Sequence, residues 1–128
     1  MPHRSIAHII SQQTPVTATA DLTVREACQR MAAARVGALL VVEHGFLTGI
    51  FTERDALNRV LAPGLDPEHT LLSEVMTANP VSVRPETLAT EALRIMETRE
   101  IDNLPVVDGD GIVAGVVDIQ DLMKLRVL

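Results

Sequence analysis

Apolar residues along the chain recur with two alternating periods. Val24, Ala27, Cys28 and Met31 stand at helical spacing within "VREACQRMAAARV", and Leu88, Ala92, Leu93 and Met96 repeat that spacing farther on. Between such stretches run continuous aliphatic segments, "ALLVVEHGFLTGIF" and "LPVVDGDGIVAGVV". Each is interrupted by turn residues, His44-Gly45 in the first and Asp108 to Gly111 in the second, which predicts two β-hairpins. Short β-rich pieces, Val16 to Ala18 and Val81 to Val83, precede the helices, and "TERDALNRVL" and "DIQDLMKLRVL" follow the hairpins as further helices. The predicted order is β-α-β-β-α, twice, which makes the fold class α+β. "IAHIISQ" and "LLSEVMT" read as short helical lead-ins, one ahead of each copy.

The alternation is a repeat in the literal sense. Residues 14 to 43 lie over residues 79 to 108 without a gap, so that Pro15 meets Pro80, Val16 meets Val81, Glu26 meets Glu91, Met31 meets Met96 and Leu39 meets Leu104. After one inserted residue "GIFTERD" lies over "GVVDIQD". Repeat 1 is expected over 5–61 and repeat 2 over 71–126, with the Pro- and Gly-bearing stretch 62–70 as a linker or loop. Neither copy buries its strands alone, so the two are expected to pack through their sheets as one pseudo-two-fold module.

Composition narrows the function. Hydrophobic residues make up 47% of the 128 and aromatics only 2%, with no Trp or Tyr, so the core is aliphatic and the stacking platforms of single-strand nucleic-acid binders are missing. A net charge of −6 argues against a phosphate-backbone binder. An anionic ligand therefore needs a local arrangement. No secretory leader or membrane-length apolar run is read, and the single cysteine, Cys28, permits no intrachain disulfide, so the cytoplasm is the expected location and neither nucleic acid nor membrane an expected partner. Cys28 reads as a small buried hydrophobe. The four histidines lack metal-ligand spacing, so no metal site is expected.

The doubled β-α-β-β-α unit, with "EVMTANPVSV", "LPVVDGDGIVAGVV" and above all "GIFTERD", resembles the cystathionine-β-synthase (CBS) domain, whose tandem pairs are called Bateman modules. The resemblance covers nearly the whole chain and leaves no segment for a catalytic domain, so a stand-alone regulatory pair and not an enzyme is expected. No triad-like arrangement argues otherwise.

In "GIFTERD" a glycine ends a strand, Thr52 opens the next helix and Asp55 falls in its first turn. One reading is a capping box, with Thr52 as N-cap and Asp55 at the third position. The other is that the same groups hold a ribose, Asp55 accepting from two vicinal hydroxyls. The two are compatible, and the second is what the resemblance implies, since CBS pairs use this Thr or Ser and Asp on adenosine nucleotides. Carried over position by position, the implied site joins Ile50, Thr52, Arg54 and Asp55 to Met76, Thr77, Val81 and Ile101, with the three apolar side chains against the base; each of these also reads as routine core.

A second, weaker cleft is implied by Val116, Asp118 and Asp121 with Ser11, Val16 and Val36. There Asp118 stands where the family has Thr or Ser, placing a carboxylate where a phosphate is expected. Basic residues common before the second strand are replaced by Gly37-Ala38 and Asp102-Asn103, so Arg54, Arg59, Arg84 or Arg99 would have to meet a phosphate. AMP, ATP, NAD and S-adenosylmethionine all stay open as ligands, and no catalytic cofactor is expected. The expected function is sensing an adenosine-containing metabolite and signalling to a regulated protein; the alternative is a dimerisation and protein-interaction module with no nucleotide. Apolar residues beyond what one inward-facing stripe requires, Ala27, Ala32, Ala33 and Ala34 around Met31 and Leu122, Met123, Leu125, Val127 and Leu128 in the last helix, predict a homodimer.

Overall fold

In the computed structural model, which describes residues 4–124, the chain forms two compact units, one of residues 16–80 and one of 1–15 with 81–128. These divisions do not fall between the repeats. Each unit takes the body of one copy and the lead-in of the other.

The unit of residues 16–80 is built on a four-stranded sheet in the order β1 (Thr17–Ala18), β2 (Ala38–Glu43), β3 (Phe46–Thr52), β4 (Thr77–Ala78), with α2 (Val24–Ala34) between β1 and β2. β1 runs parallel to β2, and the other pairs are antiparallel. The β2–β3 hairpin closes through His44 and Gly45 alone, both at positive φ (54° and 85°), the geometry that a two-residue primed turn requires. Alternation along the strands sends Leu39, Val41 and Phe51 into a core with Val24, Ala27, Met31, Val60 and Leu72. Cys28 is only partly buried at the edge of that core, short of the full burial read from the sequence, because it sits on the flank of the α2 stripe.

The stretch 62–70 is no loose tether. Its carbonyls at Pro67 and Thr70 accept the N–H groups of Arg25 and Val24, while the Thr23 hydroxyl accepts from Glu26, so the orphan donors of the first α2 turn are met. Arg25 also pairs with Glu68 at 3.0 Å.

After β3 the chain makes one α-helical turn, α3 (Glu53–Asp55), and continues as a π-helix over Ala56–Leu61, in place of the plain helix expected from "TERDALNRVL". Ala62 N–H donates to Leu57 and Leu65 N–H to Val60, the five-residue spacing of a π turn. α4 (Leu72–Val75) then leads into β4.

The other unit carries α1 (Ala7–Ile10), α5 (Ala89–Arg99), the hairpin β5 (Asn103–Val107) with β6 (Val113–Asp118), and α6 (Ile119–Lys124) around Ile6, Ile10, Ala92, Met96, Leu104, Val106, Val117 and Leu122. Leu88, read as part of the helical stripe, is instead the exposed N-cap of α5. The strand expected over Val81 to Val83 is reduced to one parallel bridge, Val83 with Val106. In the first unit Leu40 N–H donates to Val16 O; the equivalent residue of β5 is Pro105, which has no N–H to give Val81. The 3-residue β piece therefore loses its anchoring bond. α2 and α5 both end on a non-glycine residue in the left-handed region, Arg35 (φ 57°) and Glu100 (φ 55°), at equivalent repeat positions.

Candidate functional site

The "GIFTERD" segment builds a charged corner in the 16–80 unit. Thr52 ends β3 in extended conformation and caps α3: its hydroxyl oxygen accepts from the Asp55 N–H at 3.2 Å, and its own N–H donates to Asp55 Oδ2 at 3.0 Å. The capping box expected from the sequence is present. It leaves the Thr52 hydroxyl hydrogen and the lone pairs of Asp55 Oδ1 for a further partner. Oδ1 faces Arg59 Nε at 3.6 Å, and the Asp55 side chain is only 13% exposed.

Two strand pairings bring the neighbouring candidates to this corner. Ile50 lies opposite Thr77 and Gly49 opposite Ala78. Ile50 is 6% exposed and sits on the sheet face opposite Phe51, apart from the core under α2. Met76 lays its side chain over Gly49, where a Cβ would stand 2.6 Å from its sulfur, so any larger residue there would push the thioether aside. Ile50, Thr52, Arg54, Asp55, Met76 and Thr77 thus share one unit. Val81 and Ile101 belong to the other, where both pack partly buried against its core.

Arg59, read from the sequence as a counter-charge for phosphate, donates from Nη1 to the carbonyls of Val75 (3.1 Å) and Met76 (3.2 Å). The helical spacing from Asp55 could have signalled the ion pair. Nothing in the sequence pattern signalled the reach to α4.

The second corner differs. Asp118 N–H donates to Asp121 Oδ2 at 3.0 Å, matching the Thr52–Asp55 bond, but the Asp118 side chain accepts from Gln120 N–H at 2.7 Å. It offers no hydroxyl donor and concentrates two carboxylates at one helix start. Val116 N–H donates to Gln13 Oε1 at 3.1 Å, so a side chain stands where β4 supplies backbone in the first unit. Ser11 lies in this unit with its hydroxyl on His8 O, whereas Val16 and Val36 lie in the other; Val36, just past α2, is 42% exposed. Among the described residues no group of three or more His, Cys, Asp or Glu is arranged to hold a metal ion, and no helix is long and apolar enough to cross a membrane. Burial pushes the Cys28 thiol above its ordinary value.

Comparison with known proteins yields a match to the CBS domain over residues 6–62 and again over 72–128. The CBS domain-containing protein CBSCBSPB2 of Arabidopsis thaliana is 46% identical over 100 residues, 77% of this chain but 19% of that protein, so the chain spans under a fifth of that relative's length. Among solved structures, the CBS-domain containing protein ATU1752 from Agrobacterium tumefaciens is 28% identical with a TM-score of 0.86, covering 96% of this chain and 99% of that one. The CBS domain pair of protein MJ0100, in complex with 5′-methylthioadenosine and S-adenosyl-L-methionine, is 26% identical with a TM-score of 0.87, covering 98% of this chain and 97% of that one.

Proposed function

Because the chain belongs to the CBS domain family and carries two copies of the domain in tandem, we propose that it is a regulatory module that binds an adenosine-containing metabolite and signals its presence to a partner protein. The observation that carries this reading is the corner around Asp55: a hydroxyl, a nearly buried carboxylate, the apolar Ile50 and the backbone of Thr77 lie together at one sheet end. A carboxylate with an open lone pair suits vicinal ribose hydroxyls, and strand-edge backbone beside an apolar side chain suits a purine. The MJ0100 pair, bound to two adenosine compounds, supports the ligand class. With the repeats taken as 5–61 and 71–126, each copy carries a corner at the start of its second helix, complete in the first and altered by Asp118 in the second. The role is binding, not catalysis; the module works in the cytoplasm as a homodimer.

A thermal-shift series with adenosine, AMP, ATP, NAD and S-adenosylmethionine tests the proposal, since a ligand of the folded state raises apparent stability with its concentration. A concentration-dependent rise with at least one compound is expected. No rise with any of them overturns the reading in favour of a dimerisation and protein-interaction module, which the capping box favours in one respect: Thr52 and Asp55 already have a structural role without ligand.

A further inference from the structure

Arg59 touches three groups that belong to two parts of the candidate site. Its Nε faces Asp55 Oδ1 at 3.6 Å, and its Nη1 is shared between the carbonyls of Val75 and Met76, sixteen and seventeen residues on. A half-exposed ion pair one helical turn apart contributes little by itself. The bifurcated donation sets this arginine apart. Val75 and Met76 close α4, where carbonyls lack partners within the helix, and a guanidinium there answers both the lone pairs and the helix dipole. Met76 in turn sits over Gly49 and runs directly into Thr77, the residue opposite Ile50. Arg59 lies in the π-helical stretch that follows Asp55.

We propose that Arg59 is a positioning residue of the adenosine site: one planar guanidinium fixes the carboxylate of Asp55 and the Val75–Met76 carbonyls at a set separation, so that the hydroxyl-accepting and base-facing parts of the site hold one geometry. This rests on the function proposed above. A planar fork with several fixed donors does this; an ammonium, as a single point charge, does not. The competing role is direct contact with a ligand phosphate through Nη2, for which no contact to protein is needed.

Isothermal titration of adenosine and AMP into the parent chain, Arg59→Gln, Arg59→Lys, Asp55→Ala and the Asp55→Ala/Arg59→Gln double variant separates these roles. Positioning predicts that Arg59→Gln weakens adenosine and AMP by the same factor, roughly tenfold, that Arg59→Lys recovers only part of it, and that the Arg59 effect largely disappears once Asp55 is gone. A loss confined to AMP overturns the proposal in favour of phosphate contact. Losses that multiply in the double variant overturn it in favour of a general structural effect. Hydrogen exchange in the ligand-free protein gives an independent reading: Arg59→Gln should speed exchange of the Met76 and Thr77 amides, and unchanged exchange overturns the clamp. If the parent binds neither compound, the functional reading fails on the parent alone, and the exchange arm still decides the clamp.

Discussion

One oxygen of the Asp55 carboxylate holds the Thr52 N–H, and the other faces Arg59. Asp55→Ala should therefore lower adenosine-ligand affinity by about 2 kcal/mol or more, as for a charge-assisted bond, and also lower stability by about 1 kcal/mol through the lost cap. Thr52→Ala should weaken binding less, since it removes one neutral donor. Titration calorimetry beside thermal unfolding separates the two effects; parent-like affinity in Asp55→Ala would leave the cap as this residue's whole role. At the second corner Asp118→Thr should strengthen binding of a phosphorylated ligand, and Asp121→Ala should cost less affinity than Asp55→Ala; equal losses at the two corners count against this asymmetry. The spacing of Thr52 and Asp55 was legible because a capping box is local, its two ends only three positions apart. The Arg59 contacts with Val75 and Met76 were not, because they depend on where a separate element docks.

Elements followed the hydrophobic periods where local chemistry agreed with them, and departed from them where a single residue intervened. The His44-Gly45 turn and both helical stripes were visible in sequence. The loss of the strand at Val81 to Val83 was not, although its cause, Pro105, stands in plain view: its effect appears only once the pairing partner is known. Helix ends were equally hidden. Arg35 closes α2 in a conformation that costs a side-chain-bearing residue energy, so Arg35→Gly should raise stability by about 0.5–1 kcal/mol, checked by chemical denaturation; a loss would mean that the arginine side chain contributes more than the strain. The docked 62–70 stretch supplies a pH test. His69 Nδ1 donates to Asp66 Oδ2 at 2.6 Å, which raises the His69 pKa above 6.5 and draws Asp66 below 3.8. The pair's contribution is full between those two ordinary values, fades as pH rises through the raised His69 value, and fades again as pH falls through the lowered Asp66 value. An NMR titration should find His69 above 6.5, with Asp66→Asn returning it toward that figure; no change on substitution would remove the bond from the account.

At the scale of the molecule, apolar side chains remain on the surface of the described residues. Leu57, Leu61 and Leu65 are exposed in and after the π-helical stretch, Met123 is exposed on α6, and Ala32, Ala33 and Ala34 are exposed along α2; Ala27 and Leu122, counted in the surplus from the sequence, are instead buried in the cores of their units, and Leu125, Val127 and Leu128 lie outside the described residues. A second copy is the commonest cover for such a surface. Light scattering at micromolar concentration should give about twice the 13.9 kDa chain mass, and a single-chain mass that persists with ligand would refute the homodimer. The repeat itself was legible from aligned residues, but the exchange of lead-ins was not, because sequence similarity reports which segments are alike and not which ones pack together. That exchange bears on ancestry. A protein of one repeat would have to complete its body with its own lead-in or with one traded from a second molecule. Joining the end of one to the start of the next would turn such a trade into a single inheritance, in which the two halves are free to differ, as they do with a threonine at one corner and an aspartate at the other.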